Sequence, residues 1–291
     1  MGSSESQDAL ANQCWRKWAY KYLLGIKEEA GGPLVYGNAG HDTMEALYNG
    51  APMDHAVSLG IDYLNKNNGK GLCPNAYDNI PQHAMGYATH VMPDFLREWR
   101  VIATEMPFDY EIAEGIRTRG YIDIVAQRLA DNQIGIFDFK FSSEAYMKTL
   151  CENLKFSTQF SIYSMAWVRQ VCAKVFPDVA PFWPCHVGYH FLLKPKKGDS
   201  LEKAKMYPCR GVDIDAAFRN FCVECEANQI RLGLLKRQFK TDFSERGQAA
   251  LDQIPACFTS CFKYGEMCQF AGGCHNGMPF HTTQRYEDNR P

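Results

Sequence analysis

Hydrophobic and polar positions alternate along this chain in blocks that read as separate elements. Over residues 8–29, Trp15, Trp18, Tyr22 and Ile26 recur at spacings of three and four with basic residues between them, which predicts an amphipathic helix. Gly31, Gly32 and Pro33 break it. Residues 34–50 then read as a Gly-rich turn and a helix with Met44, Leu47 and Tyr48 on one face, His41 standing at the helix start after Gly37 and Gly40. Residues 51–100 are helical with a turn-prone middle at 66–71, and 82–100 reads as a helix kinked or split near Pro93. Residues 104–112 suggest a strand whose Pro107 favours an edge or a start.

The stretch from Gly120 to Lys140 organises the rest. Tyr121–Val125 and Ile134–Phe141 are β-branched and aromatic runs separated by Ala130, Asp131, Asn132 and Gln133, the pattern of two antiparallel strands and a short loop. A helix over about 145–175 follows, with Gln159 and Tyr163 four apart on one face, and then a strand at 186–193. The run 194–199 reads as that strand's polar exit, and 213–240 as a further helix with Phe218, Phe221, Cys222 and Cys225 packed on one face. The order helix, three strands, helix, strand predicts an α/β mixed sheet flanked by helices, with a helical insertion and helical ends.

Those central strands carry charge where apolar residues belong. Asp138 and Lys140 share a face, and Asp123 on the partner strand lies opposite or diagonal to them if the chain turns about Asp131 and Asn132. Two carboxylates beside an ammonium suit a hard cation such as Mg²⁺; an exposed strand edge with a salt bridge is the plainer alternative. His41 fits either a polar helix-terminal residue or a metal or phosphate contact. Glu105 fits an auxiliary acid or a surface residue.

Composition narrows the class. The 291 residues are 46% hydrophobic and 22% charged, as expected of a globular protein, and the net charge of −2 advertises no global field for nucleic acid, so any DNA groove is local. No membrane span and no signal peptide are expected from the apolar runs or from the N-terminal ten residues. Twelve cysteines include a group at Cys257, Cys261, Cys268 and Cys274, which in a reducing compartment predicts metal binding over disulfides. The expected setting is cytoplasmic, in a prokaryote or in the host of a virus.

Taken in order, these motifs resemble the PD-(D/E)XK nuclease superfamily. They are similar to its RecB-like exonuclease branch with an iron–sulfur cluster, which includes AddB-type nuclease domains and the CRISPR-associated adaptation nucleases. The resembling residues are His41 after a small-residue turn, Asp123 in Gly120-Tyr-Ile-Asp123, Asp138 and Lys140 in Asp138-Phe-Lys140, and Gln159 with Tyr163 in Gln159-Phe-Ser-Ile-Tyr163. The resemblance implies a restriction-endonuclease-like fold in one domain over 1–291. Its nuclease core would be 34–193 with the insertion at 51–100, and 8–29 and 213–274 would be helical ends joined by the cluster. It implies Mg²⁺ or Mn²⁺ held by His41, Asp123, Asp138 and the backbone carbonyl of Phe139, with Lys140 orienting or deprotonating the attacking water. Gln159 and Tyr163 would position the lysine or the strand. It further implies a [4Fe–4S] cluster on Cys14, Cys261, Cys268 and Cys274, with Cys257 as the substitute for Cys261 and Zn²⁺ as the alternative ion.

The implied activity is exonucleolytic hydrolysis of single-stranded DNA or DNA ends in recombination, repair or replication. A helicase or recombination partner and an oligomer are compatible with it. Spacer acquisition and a non-catalytic iron–sulfur DNA-binding or structural subunit are the alternatives.

Overall fold

The computed structural model describes residues 2–3, 10–11, 13–22, 30–113, 116–142, 144–154, 157–171, 184, 186–193 and 205–208, with short segments between 219 and 267. The chain forms two compact units, one of Met1–Glu29, Glu111–Thr118 and Phe221–Pro291, the other of Ala30–Tyr110 and Arg119–Asn220. In the first, helix α1 spans Trp15–Tyr22, and strand β1, Gly2–Ser3, runs parallel to Arg117 and Thr118. Cys14 and Cys225 are buried there, and the described residues from 222 to 230 are helical, in line with the 213–240 pattern. Antiparallel β7, Phe262–Lys263, and β8, Glu266–Met267, lie in the same unit. Cys257, Cys261, Cys268 and Cys274 lie outside the described residues, as do the helix end expected at Phe176 and Pro177 and the exit loop at 194–199.

Most of the sheet belongs to the second unit. Strands β2 (Trp99–Ala113), β3 (Ile116–Arg128), β4 (Ile134–Ser142), β5 (His186–Leu193) and β6 (Lys205–Pro208) join in the order β3-β4-β5-β6, with β2 on β3. The end of β2 and the start of β3 belong to the first unit. β3 and β4 are the predicted hairpin, antiparallel with Ile124 opposite Phe137. β4 is the central strand: β5 runs parallel to it on the other side, placing Tyr189 beside Asp138. A strand paired on both edges and covered on both faces must be apolar throughout, and Ile134–Phe139 are all buried, Asp138 included.

Helices α2 (Gly32–Tyr48), α3 (Met53–Lys66), α4 (Gly69–Leu72), α5 (Ala76–His90) and α6 (Met92–Glu98) make the helical layer. A core of Met44, Tyr87, Phe95, Trp99, Phe137 and Phe139 joins this layer to the sheet. Helices α7 (Glu144–Asn153) and α8 (Thr158–Ala166) follow β4, and a π-helical turn, Trp167–Val171, continues α8. Among the described residues no helix is long and apolar enough to cross a membrane.

Four boundaries differ from expectation, each for a local reason. The single helix expected over 145–175 is divided, because Ser157 caps α8 by accepting the Phe160 N–H at 3.3 Å. The helix expected over 82–100 begins earlier, at Ala76, tolerates Pro81 inside it, and ends at His90. Pro93 then opens α6 in its first turn, where a missing N–H costs nothing, and Trp99 and Arg100 already belong to β2. β2 is longer than the predicted 104–112. The largest correction concerns His41: it is not at a helix start but in the middle of α2, which begins at Gly32 with Pro33 in its first turn.

Gly37 and Gly40 are therefore helical, and they serve different ends. A Cβ on Gly40 would fall 2.2 Å from the ring of Phe141, so this glycine lets α2 pack directly on β4, whereas a Cβ on Gly37 would meet nothing within 4 Å. Gly40→Ala should cost about 1–3 kcal/mol through overpacking. Gly37→Ala should gain roughly 0.5–1 kcal/mol from helix propensity. Urea denaturation of the two variants checks the contrast; equal effects would show that no such close approach exists.

Two buried histidines make stability depend on pH. His83 and His190 are buried, and desolvation pulls their imidazoles down to about 4 and about 3. Both stay neutral in the fold, whereas an unfolded histidine titrates near ~6.5. Below that value the unfolded chain binds more protons, so this stability is complete above about pH 6.5 and lost as pH falls, by up to ~1.4 kcal/mol per unit and histidine. His190→Asn, which keeps an acceptor for the Tyr87 hydroxyl, should flatten the slope between about pH 6.5 and 4 in urea titrations.

Candidate active site

The site lies where β3 leaves β4. One step past the last paired residues, Ile124 and Phe137, stand Asp123 and Asp138, so two carboxylates face each other on adjacent strands, both nearly inaccessible. Like charges at such a position repel. Asp123 is held there by the backbone: its Oδ2 accepts the N–H of Phe139 at 2.8 Å, taking the place of a ladder bond. Burial, reinforced by Asp138, pushes the Asp123 carboxyl up to about 8, against the opposing pull of His41 and the Phe139 N–H.

Asp138 has a different set of partners. Lys140, two residues on and on the same face, brings its Nζ to 2.5 Å from Asp138 Oδ2. Gln159 on α8 closes the group: its Oε1 accepts from Lys140 Nζ at 3.2 Å, while its Nε2 donates to Asp138 Oδ1 and to the Tyr163 hydroxyl, each at 2.9 Å. The opposite amide orientation would aim an NH₂ at the ammonium, so the network dictates this one. The Tyr163 hydroxyl lies one helical turn from Gln159, and burial with the nearby Asp138 keeps it protonated. Burial opposes the charge on Lys140, but Asp138 and Asp123 outweigh it and hold the amine above its ordinary value. That favours the ammonium form of Lys140, a donor toward Asp138 and Gln159.

On the other flank His41 Nδ1 lies 3.3 Å from Asp123 Oδ2 and 3.5 Å from Glu105 Oε1. Burial lowers the imidazole's affinity for a proton, but Glu105, Asp123 and Asp138 outweigh it and raise it on balance. Its ring meets Phe139 edge-on at 6.1 Å between centroids, and Phe141 at 5.8 Å. One donor atom from each of His41, Glu105 and Asp123 lies within 4.8 Å of the others, a nitrogen and two oxygens converging on one point. That donor set fits a hard divalent ion such as Mg²⁺ or Mn²⁺, as does a carboxylate pair that is repulsive without a cation.

The sequence-expected residues His41, Asp123, Asp138, Lys140, Gln159 and Tyr163 thus come together, and the Phe139 backbone N–H joins them through Asp123. Glu105 is the member whose place the sequence left open. It has a φ of +43° inside β2, which for a residue with a side chain costs on the order of 1–2 kcal/mol and re-aims the strand at that point. Nothing in Thr104-Glu-Met-Pro107 signals that twist. Cys14 belongs to the other unit.

A buried helix–strand contact, two opposed carboxylates and a lysine on a mixed sheet are the parts of a metal-dependent nuclease. A family model for the PD-(D/E)XK nuclease superfamily matches residues 3–275, and the chain belongs to that superfamily, whose members hydrolyse phosphodiester bonds with divalent metals. Among solved structures it is similar to a protein from Eubacterium rectale whose crystal structure is titled "Putative exonuclease", at 11% identity over 78% of each chain and a TM-score of 0.46. No curated protein matches.

The apposed carboxylates predict a trade between stability and ion binding. With the carboxyl of Asp123 raised, the metal-free fold loses stability as pH climbs from about 4 through 8, because the folded state binds the extra proton. Asp123→Asn keeps an acceptor for Phe139 and should stabilise the metal-free protein at pH 8 by about 1 kcal/mol. Added Mn²⁺ should raise the wild-type melting temperature more at pH 8 than at pH 6, and that of Asp123→Asn at neither. Calorimetric melts at both pH values decide it.

Proposed function

We propose that this protein is a metal-dependent exonuclease of the RecB-like branch, acting on single-stranded DNA or DNA ends in recombination, repair or replication. The observation that carries the reading is the buried Asp123–Asp138 apposition with Lys140 in place beside it. His41, Asp123 and Glu105 would hold a divalent ion, together with Asp138 and the Phe139 carbonyl. Once bound, such an ion supplies Lewis-acid charge at the phosphate and acidifies water.

The chain's own groups do the rest. Lys140, kept as an ammonium and aimed by Gln159, donates toward the charge that develops on the phosphate oxygens. Gln159 and Tyr163 hold Asp138 and Lys140 in one geometry, so the donors need no rearrangement as that charge grows. Phe139 presents its N–H to Asp123 and so fixes the carboxylate's direction. In the net reaction water forms a new P–O bond, one P–O ester bond breaks, and the departing oxygen takes a proton.

The [4Fe–4S] cluster on Cys14, Cys261, Cys268 and Cys274, with Cys257 as a substitute ligand and Zn²⁺ as the alternative, belongs to the same proposal. The burial of Cys14 is compatible with a ligand, and the other cysteines lie outside the described residues.

Degradation of 5′- and 3′-labelled single- and double-stranded DNA with Mg²⁺ or Mn²⁺ tests the reading. Wild type should cleave, and Asp138→Ala and Lys140→Ala should each lose at least ~100-fold with the fold intact. Substantial cleavage by both variants would refute the assignment, and the ladders of the wild-type products would show polarity.

A further inference from the structure

The strand beside β4 brings an aromatic ring to the lysine. In the parallel register of β4 and β5, Tyr189 stands next to Asp138 and Phe191 next to Lys140. Residues paired in register project to the same face of a sheet, so this face carries both the charged pair and the two rings. Helix α8 packs on it. The Phe160 ring lies 4.9 Å from that of Tyr189 between centroids, and the Phe191 ring lies 5.3 Å from it. The Tyr189 hydroxyl is hydrogen-bonded to the side chain of Ser157, whose oxygen also caps α8 by accepting the Phe160 N–H. Tyr189 is 2% exposed, and strand, helix and cap together hold its ring.

That ring meets the Lys140 ammonium: Nζ lies over it, 5.7 Å from the centroid. Within about 6 Å the negative face of an aromatic ring attracts a cation, more strongly where water is excluded. The count of donors gives this contact its meaning. An ammonium has three N–H groups, and Asp138 and Gln159 take two of them. A further carboxylate or amide would take the last. A ring stabilises the charge without offering a lone pair, so one N–H stays available for a phosphate oxygen. The Lys140 side chain is 24% exposed against 2% for that of Asp138, so of the two it is the lysine that a substrate can reach.

We propose that Tyr189 is a positioning residue for the hydrolysis: its ring holds the Lys140 ammonium, and its hydroxyl, through Ser157, fixes the start of the helix that presents Gln159 to the same ammonium. The proposal rests on the nuclease reading and adds to it a residue that acts through Lys140 and Gln159.

The test uses the full-length protein, labelled oligonucleotides and Mg²⁺. Pentafluorophenylalanine in place of Tyr189 keeps the shape of the ring and reverses the charge on its face, which separates the ring–cation contact from packing. It should lower kcat about 2- to 30-fold relative to Tyr189→Phe, the range of one such contact, with KM and Mn²⁺ affinity unchanged. Tyr189→Phe, which loses the Ser157 bond alone, should fall between wild type and the fluorinated ring. In a Lys140→Met background the fluorinated ring should cost nothing further. Urea unfolding of the same four proteins closes the cycle without catalysis, and the unfolding constant should show a coupling of the same size between ring and lysine.

Equal kcat with the two rings, or an equal loss with and without Lys140, would overturn the positioning role and leave the nuclease standing. Coupling in the unfolding cycle of a protein that cleaves nothing would keep the contact between ring and lysine and refute the nuclease reading.

Discussion

Two carboxylates facing each other across adjacent strands, in a position shut off from water, are a repulsive arrangement that the rest of this unit is built to hold. Asp123 and Asp138 could relax by turning apart, but each is tied from a different direction. The Phe139 N–H fixes Asp123 from the neighbouring strand. The Gln159 amide and the Lys140 ammonium fix Asp138 from the helix above and from its own strand. Burial with Asp138 raises the proton affinity of Asp123, Glu105 and the two aspartates raise that of His41, and the aspartates raise that of Lys140.

The support beneath this pair is aromatic. Phe139 follows Asp138 on β4 and donates its N–H to Asp123, and its ring rests on Tyr48, Tyr87 and His190 at centroid distances of 5.6–6.0 Å. Those side chains form a buried relay: the Tyr48 and Tyr87 hydroxyls lie 2.6 Å apart, and Tyr87 is hydrogen-bonded to His190 Nδ1. A strand whose charged face bears the chemistry and whose apolar face is clamped by such a cluster cannot shift without disturbing both. Close approach of α2 through Gly40 adds the third constraint, since it sets how near His41 comes to Asp123.

Much of this was legible in the residue pattern, because its signals are local. The β3–β4 hairpin and the β5 strand follow from apolar runs and an Asp-Asn turn, and Asp138 and Lys140 share a face whatever the rest of the chain does. Gln159 and Tyr163 share one because a helix turn brings residues four apart together. Where the pattern misled, the cause was a glycine or a cap whose meaning is not local. Gly37 and Gly40 look like a turn and are helical, and only the ring of Phe141, a hundred residues away, explains Gly40. Ser157 divides a helix that periodicity alone would run through.

What the sequence by itself determined is therefore the set of chemical groups and the elements that carry them: two acids and a lysine on adjacent strands, a glutamine and a tyrosine on one helical face, a histidine on another helix. Only the tertiary structure decided the register that sets Asp123 opposite Asp138, the hydrogen bond that gives Phe139 its role, and the entry of Glu105 through a left-handed kink in β2. The physical reason is one of range. Propensity and periodicity act over a few residues, whereas apposition of like charges and a strained backbone exist only when distant segments pack closely enough to enforce them.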